Sequence, residues 1–342
     1  MPGRTMAAAV YHGEHTISVE DVPIPELGSD EVLLRVSHCG ICGTDLHLMM
    51  EDWGTPGTVC GHEYSGVVTE VGSSVRGWTV GDRAVGGPGP GCGRCRCCRT
   101  GRTHLCLSAQ GRPPRTGAYA AFKVVDQDAL FRVPDSLDLR TAALTEPLAV
   151  ALRGVRRAGA EPGDRVLVTG AGPIGLLTVA VLVAGGVSDI TVSEPNPKRR
   201  RLAEKMGAST TMSPEELEAP PTVMDVVPAP YHYAFECSGR ADAMEGALSS
   251  LDRAGTLVLS GTGMGRPRFN PNRLIVHELV VTGTVEYTQD DYRAALALLA
   301  GGQLPVDALI EPEDLPLARL QSGMERLMAG ELAGKVMVAP NA

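Results

Sequence analysis

One strand–turn–helix segment, RVLVTGAGPIGLLTVAVLVAGG from Arg165 to Gly186, restricts the fold of this chain more than any other stretch. RVLVT is a fully apolar strand, and a long apolar helix follows the glycine-rich turn. Strands that are apolar on both faces are typical of parallel sheets, whose neighbouring strands are joined by crossover helices. Further strand-like runs follow, separated by helical segments: DITVSEP, YHYAFECSG, GTLVLSG and ELVVTGTV. The second half of the chain is therefore predicted to be an α/β domain built on a doubly wound parallel sheet.

The turn GAGPIG predicts a dinucleotide site, because it has the spacing G-x-G-x-x-G between a strand and a helix. The first glycine makes the tight turn, the second lets a pyrophosphate approach the backbone, and the third allows close packing of helix on strand. The start of the helix attracts the phosphate charge. The predicted cofactor-binding residues are Gly170, Gly172, Pro173, Ile174, Gly175, Glu194 and Arg199.

Glu194 stands at the end of the next strand, 19 residues after Gly175. An acidic side chain there accepts hydrogen bonds from the ribose hydroxyls of NAD and repels the 2′-phosphate of NADP. NAD is the predicted cofactor and NADP the alternative, because one of Arg199 to Arg201 could bind such a phosphate. These arginines could equally form a solvated helix face.

Short β-type runs separated by Gly, Pro and Asp fill the first part of the chain, for example EVLLRVSH, EYSGVVTEV, RAVGG and AYAAFKVV. This pattern predicts a β-rich, barrel-like domain. The stretch PDSLDLRTAALTEPLAVALRGVRRAG is predicted to form a helix that precedes the α/β domain. The predicted domains are residues 1–148 with 288–342, and residues 149–287.

Five of the nine cysteines lie between Cys92 and Cys106, in GCGRCRCCRTGRTHLC. Four arrangements would explain such a cluster: a disulfide knot, a nucleic-acid zinc module, a catalytic metal site or a structural metal site. No long apolar segment indicates a signal peptide or a membrane span, so we expect a cytoplasmic protein, in which clustered thiols favour metal binding. The net charge of −9 disfavours a role on nucleic acid.

Two further motifs make a family resemblance clear. HCGICGTDLH runs from His38 to His47, and GHEYSGVVTEVG, from Gly61 to Gly72, has the pattern G-H-E-x2-G-x5-G. With the cysteine cluster and the glycine turn, in this order, the chain resembles the zinc-containing medium-chain alcohol dehydrogenases, nearest to the sorbitol, threonine and butanediol dehydrogenases. The resemblance covers essentially the whole chain. It implies a GroES-like catalytic domain, a Rossmann NAD-binding domain, and two zinc ions per subunit.

By this resemblance Cys42 and His62 are ligands of a catalytic zinc, with Glu146 as the third ligand and Glu63 either beside it or exchanging with it. Cys39 is the rival thiol to Cys42. Cys92, Cys95, Cys98 and Cys106 match the family's structural zinc lobe, at about residues 88–108, with Cys97 as the rival to Cys98. Four thiolates close a tetrahedral site, whereas three ligands leave a position open for substrate oxygen.

The resemblance also implies a proton path. Thr44 takes the alcohol proton and passes it by way of the cofactor ribose toward His47. The chain departs from simpler alcohol dehydrogenases at Gly43, where a basic residue often faces the pyrophosphate. That contact would come from Lys335 or from backbone amides.

The implied activity is the oxidation of a secondary alcohol, such as a polyol, diol, hydroxy amino acid or aminocyclitol, to its ketone, or the reverse. Trp53 and Tyr287 are candidate pocket walls, and Glu51, Asp52 and Glu286 could favour a polyhydroxylated or amino-bearing substrate. Two other functions stay open at this stage: reduction of C=C or C=N bonds on the same scaffold, and a binding protein without catalysis. The expected partners are a small-molecule substrate and further copies of the chain, in a homodimer or homotetramer, without nucleic acid or membrane.

Overall fold

The computed structural model describes residues 4–107 and 116–342, which form two compact units. The first unit contains residues up to Glu146 together with Tyr287–Gly301 and Ile310–Ala342, and the second contains Pro147–Glu286 and Gly302–Leu309. The predicted boundaries fall within two residues of these divisions, at 148 and 287. Residues 302–309 were predicted with the first domain, but the short 3-10 turn Val306–Ala308 packs against a helix of the second unit.

Antiparallel sheets make up the first unit. Strands β1 and β2 form a two-stranded sheet, and the six strands of the other sheet run in the order β14-β3-β4-β5-β7, with β6 paired to β3. The strands are β1 Thr5–Gly13, β2 Thr16–Pro23, β3 Glu31–Gly40, β4 Glu63–Val71, β5 Arg83–Gly86, β6 Phe122–Asp126, β7 Leu130–Arg132 and β14 Met337–Val338. The alternating residues of β3 and β4 fill a core with Val32, Leu34, Tyr64 and Val68. This core fixes the register in which the ends of β3 and β4 meet.

The helices that begin in the first unit are short, except one that continues into the second unit: α1 Gly43–Met50, α2 Arg96–Arg99, α3 Leu139–Ala142, α4 Thr145–Ala158, α9 Gln289–Ala300 and α10 Leu320–Met328. The helix predicted from PDSLDLRTAALTEPLAVALRGVRRAG is in fact two helices, α3 and α4, with a break at Ala143 and Leu144. Pro147 explains the break, because proline is tolerated in the first turn of a new helix and disrupts the interior of a continuous one.

A six-stranded parallel sheet forms the centre of the second unit, in the order β10-β9-β8-β11-β12-β13. Its strands are β8 Arg165–Thr169, β9 Asp189–Ser193, β10 Thr210–Met212, β11 Tyr231–Glu236, β12 Leu251–Leu259 and β13 Val280–Gly283. Its helices are α5 Pro173–Ala184, α6 Pro197–Met206, α7 Ala241–Ser249 and α8 Pro271–His277. The strand order reverses beside β8, which is the arrangement of a doubly wound dinucleotide-binding sheet. The prediction of a β-rich unit and a doubly wound parallel sheet is confirmed.

Among the helices in the described ranges, none combines the length and apolar character that crossing a bilayer requires.

Candidate metal and nucleotide sites

The ends of β3 and β4 bring three metal-binding side chains together. Gly40, at the end of β3, pairs with Glu63, at the start of β4. Cys42 comes just after this end of β3, and His62 comes just before this start of β4. The Sγ of Cys42, a ring nitrogen of His62 and a carboxylate oxygen of Glu63 all lie within 4.8 Å of one another. A Cβ at position 40 would overlap the Glu63 carboxylate, so the glycine leaves room for it. Three ligands of this kind would leave one position of a tetrahedral zinc site open.

Asp45 holds this cluster from the protein side. Its side chain is fully buried, and its Oδ2 accepts hydrogen bonds from the backbone N–H of Cys42 at 3.1 Å and from the Tyr119 hydroxyl at 2.6 Å. Its Oδ1 lies 3.6 Å from Nδ1 of His62 and has no hydrogen-bond partner among the described residues. Burial lowers the pKa of His62, but the charges of Asp45 and Cys42 outweigh this effect and raise it well above its usual value. The negative groups that stabilise a proton on His62 would also stabilise a divalent cation, so these residues fit zinc.

Glu63 has a cation of its own in Lys335. The lysine Nζ lies 2.7 Å from both Glu63 oxygens and donates to the carbonyl of Ile41 at 3.0 Å, and only 1% of each side chain is exposed. Since an ammonium has three N–H donors, none remains for another ligand. The expectation that Lys335 could contact the cofactor pyrophosphate is therefore wrong.

Glu146 lies close to this cluster but outside its 4.8 Å limit. Its Oε1 accepts a hydrogen bond from the buried hydroxyl of Tyr287 at 2.8 Å. Burial raises the pKa of Glu146 to about 7, an effect that His62 opposes and Glu63 reinforces. The structure thus groups Cys42, His62 and Glu63 directly and places Glu146 beside them as a buried carboxyl group with a raised pKa. Cys39 is fully buried and is not among the grouped atoms.

Thr44 and His47 lie on α1, whose N-cap residue is Cys42. Thr44 is exposed in the first turn. His47 is one turn further along, where its ring is bonded to Glu51 and stacked on Trp53. Of the two candidate pocket walls, Trp53 is 45% exposed and Tyr287 is buried against Glu146.

A second cluster contains the four sulfur atoms of Cys92, Cys95, Cys98 and Cys106, all within 4.8 Å of one another. Gly91, at φ +76°, turns the chain so closely against this cluster that a Cβ there would lie 2.8 Å from the Cys98 sulfur. Backbone N–H groups of Arg94 and Cys95 lower the pKa of the Cys92 thiol to about 6, whereas burial and neighbouring thiols raise that of Cys98 to about 11. The shifts are opposite because adjacent thiols cannot all ionise without a cation between them. This donor set fits a closed zinc site and leaves Cys97 outside it. The last residue of the predicted lobe, Ser108, lies outside the described residues.

The glycine turn joins β8 to α5. Gly170 adopts φ +89°, and a Cβ there would lie 2.9 Å from Cβ of Ser238, so only glycine fits without strain. A Cβ at Gly175 would overlap the carbonyl of Gly170. Gly172 is the N-cap residue of α5, followed by Pro173 and Ile174, and nothing lies within 4 Å of a Cβ there. The open space in front of a 12-residue helix start suits a pyrophosphate.

Glu194 follows β9 and is 3% exposed. Its two carboxylate oxygens accept hydrogen bonds from the backbone N–H groups of Ala171 at 2.8 Å and Asn196 at 2.9 Å. Glu194 thus ties the glycine turn to the start of α6, and sequence reasoning missed this role. On α6, Arg200 donates to the Glu194 carbonyl at 2.6 Å, and Nε of Arg199 is buried without a hydrogen-bond partner among the described residues. Neither is a purely solvated side chain.

Comparison with known proteins gives matches along both units. Residues 28–135 match the family described as the alcohol dehydrogenase GroES-like domain, and residues 173–301 match the family described as zinc-binding dehydrogenase. Sorbitol dehydrogenase from Bacillus subtilis is 34% identical over 99% of this chain and 98% of its own length. D-xylulose reductase A from Aspergillus niger is 34% identical over 94% of this chain and 96% of its length. The crystal structure of a Sinorhizobium meliloti protein described as a zinc-binding dehydrogenase, bound to NADP, has a TM-score of 0.87 and 33% identity, and the match covers 98% of this chain and all of that one.

Proposed function

The chain belongs to the zinc-containing medium-chain alcohol dehydrogenases and is an NAD(P)-dependent alcohol oxidoreductase, and we propose that it oxidises a secondary alcohol of a polyol or diol to the ketone with NAD. The observation that carries the proposal is the cluster of Cys42, His62 and Glu63. It supplies three ligands of the types that zinc prefers, and the exposed Thr44 hydroxyl lies on the helix that Cys42 begins.

In the proposed mechanism Cys42, His62 and Glu63 would hold a zinc ion, and Glu146 is the neighbour that could replace Glu63. Bound zinc polarises the alcohol oxygen and makes its proton easier to remove. The Thr44 hydroxyl accepts that proton and donates its own outward, because a hydroxyl is both donor and acceptor. His47 then takes up the proton and releases it to water, because an imidazole ring can both accept and donate a proton. Asp45 keeps His62 oriented throughout.

NAD is supported by Glu194, whose buried carboxylate would stand against a 2′-phosphate. The unpartnered Nε of Arg199 supports the alternative, NADP, and the Sinorhizobium relative is solved with that cofactor. The two possibilities are separated by measuring kcat/KM for NAD and NADP with one substrate, in the wild type and in Arg199→Gln. If Arg199→Gln lowers kcat/KM for NADP and leaves kcat/KM for NAD unchanged, Arg199 binds the 2′-phosphate.

The substrate class rests on the relatives that act on sorbitol and xylulose. Two of the three acidic residues that could have favoured an amino group already have hydrogen-bond partners within the protein. Glu51 bonds to His47, and Asp52 accepts hydrogen bonds from the Tyr11 hydroxyl and from the backbone N–H of His15. We therefore place polyols and diols ahead of aminocyclitols and hydroxy amino acids. A screen of all four classes, followed by NADH absorbance, tests this order.

Zinc content and turnover together test the function itself. The wild type should hold about two zinc ions per subunit, and Cys42→Ser about one, with turnover lost. Cys60→Ser is the matched control: it removes a partly buried thiol from the same region but outside both clusters, and should keep both ions and activity. A metal-stripped protein that still turned over would favour the zinc-independent reductase, and zinc and cofactor binding without turnover would favour the binding protein.

Self-association is supported by one edge of the parallel sheet, where no further strand of the described residues pairs with β13. Strand β13 ends the strand order, and nearby Ile275, Val280 and Val281 are 72%, 51% and 41% exposed. A strand edge with apolar neighbours is a natural pairing surface for a second copy of the chain. Val281→Asp should shift a dimer toward monomer in sedimentation, and an unchanged mass would reject this edge as the interface. Among the described residues the nine cysteines form no disulfide, which suits a reducing compartment such as the cytoplasm.

A further inference from the structure

The chain after α1 folds back over the helix and encloses the ring of His47. The backbone N–H of Trp53 donates to the carbonyl of His47 at 3.3 Å, and that of Gly54 donates to the carbonyl of Leu48 at 2.8 Å. Glu51, at the end of the helix, places its Oε2 2.9 Å from Nδ1 of His47. The Trp53 indole stacks on the imidazole, with a centroid distance of 4.6 Å and an interplanar angle of 12°.

This return turn is fixed by the surrounding sequence. Asp52 adopts φ +58°, a conformation that is uncommon for a residue other than glycine. Its carboxylate is held by the hydroxyl of Tyr11 and the backbone of His15, both from the β1–β2 hairpin. A Cβ at Gly54 would lie 2.7 Å from the carbonyl of Leu48, so the close approach requires glycine. The positions of Glu51 and Trp53 are therefore built into the fold.

A carboxylate on Nδ1 fixes the tautomer of the ring. Nδ1 carries the hydrogen and donates it to Glu51, which leaves the lone pair of Nε2 as the proton acceptor. When Nε2 accepts a proton, the resulting cation gains both the Glu51 charge and the face of the Trp53 ring. Indole stacking also prevents the ring from turning its nitrogens elsewhere.

Other charged groups near this helix have partners of their own. In the described part of the chain, Glu51 is the one carboxylate within 4.0 Å of a His47 nitrogen. Helix α1 packs against β2 and α10. Glu20 of β2 bonds to His12 and Ser18, and on α10 Glu325 accepts from Gln321 and Arg326 pairs with Glu331. The remaining charges on these faces are Asp21, which is exposed, and Asp45, which is bonded to Tyr119.

We propose that Glu51 and Trp53 are positioning residues that hold His47 as the acceptor of the proton released in alcohol oxidation. The proposal rests on the proposed function, in which the hydroxyl proton leaves through Thr44 and His47 to water while the hydride passes to NAD. Glu51 and Trp53 do not touch the substrate; they act on the ring that receives the proton.

Trp53 itself provides a readout that needs no turnover. The chain has only one other tryptophan, so Trp78→Phe leaves Trp53 as the sole indole emitter. A protonated imidazole stacked on the indole quenches its fluorescence, so a pH titration should show a transition that His47→Asn abolishes. Glu51→Gln should move the midpoint of this transition to lower pH, because the imidazolium loses the carboxylate that lies 2.9 Å from its Nδ1. Glu325→Gln, on the neighbouring helix, should leave the midpoint unchanged.

Steady-state kinetics then connect the ring to catalysis. In Glu51→Gln the acidic limb of the pH profile of kcat should move to lower pH together with the fluorescence midpoint. Below the midpoint kcat should therefore rise by about threefold. KM and zinc content should stay constant. An unchanged midpoint in Glu51→Gln would overturn the proposal. A shifted midpoint with an unmoved kcat profile would also overturn it, because His47 would then be held without serving proton transfer. Absence of any alcohol oxidation would instead reject the proposed function, while the fluorescence titration would still report the contact.

Discussion

Replacing Lys335 with methionine asks whether Glu63 depends on a protein cation or on a metal. The lysine Nζ is 2.7 Å from both oxygens of Glu63, and both side chains are 1% exposed. Burial alone lowers the pKa of Lys335, but the charge of Glu63 outweighs it and raises the pKa above its ordinary value. Lys335 is therefore ionised near neutral pH. Methionine keeps an unbranched apolar side chain, one atom shorter than that of lysine, and removes the charge and the N–H donors.

The expected loss follows from leaving a carboxylate buried without a counterion. Removing one partner of a buried pair costs about 3–5 kcal/mol, and the carbonyl of Ile41 also loses its donor. In zinc-free protein we expect the full loss in the free energy of unfolding. With zinc bound, Glu63 lies in the 4.8 Å cluster with Cys42 and His62, and the metal can replace the ammonium as its counterion. The loss should then fall below about 2 kcal/mol.

Denaturant unfolding followed by tryptophan fluorescence is the assay. Both tryptophans, Trp53 and Trp78, lie in the first unit, so the signal reports the unit that contains the pair. Wild type and Lys335→Met are compared with zinc and after chelation. Adding Glu63→Gln to Lys335→Met removes the stranded charge and should recover most of the loss. A loss under about 1 kcal/mol without zinc would refute the reasoning. Equal losses in both conditions would show that Glu63 is not a ligand and would favour Glu146.

Three further predictions concern other parts of the chain. Cys95→Ser should retain about one zinc ion per subunit and lower the thermal midpoint, whereas Cys97→Ser should retain about two, as measured by metal analysis. Burial lowers the pKa of Lys123 to about 8, so between pH 8 and about 10.5 this lysine holds more protons in the unfolded state; in urea titrations the stability of the wild type relative to Lys123→Met should therefore rise with pH. Gly170→Ala places a Cβ 2.9 Å from Ser238 at φ +89° and should weaken NAD binding about tenfold or more in calorimetry, with zinc content unchanged.

The parts of this protein that sequence predicts well are those encoded within a few residues. The turn after β8 and the cysteine lobe each depend on spacing inside one short segment, and the parallel sheet follows from alternating strands and helices. The β1–β2 hairpin escaped prediction because Glu14 and His15, at φ +49° and +59°, adopt a turn conformation that usually favours Gly or Asn. Helix α1 escaped because it has only eight residues and begins at Gly43.

Partners distant in sequence could not be predicted, because no local pattern marks them. Lys335 is 272 positions from Glu63, and Tyr287 is 141 positions from Glu146. Both contacts arise only when the segments after residue 286 return to the first unit. The motif around Glu63 predicted that this carboxylate lies near the metal. The counterion of Glu63, Lys335, could not be predicted, because its position depends on how β14 pairs with β3.

The two metal clusters differ in how much support their ligands receive from the rest of the chain, because one site is closed and the other keeps a coordination position open. A closed site of four thiolates completes the coordination of its metal, so the 15 residues from Cys92 to Cys106 can supply every donor and little outside support is needed. A site with an open position must hold three ligands in place while substrate enters and leaves, and this requires rigid groups behind each ligand. Tyr119 supports Asp45 behind His62, and Lys335 supports Glu63. These supports come from separate segments because no single loop surrounds the ligands. For this reason the densest group of metal-binding residues in the sequence is structural, while the proposed catalytic group is dispersed along the chain.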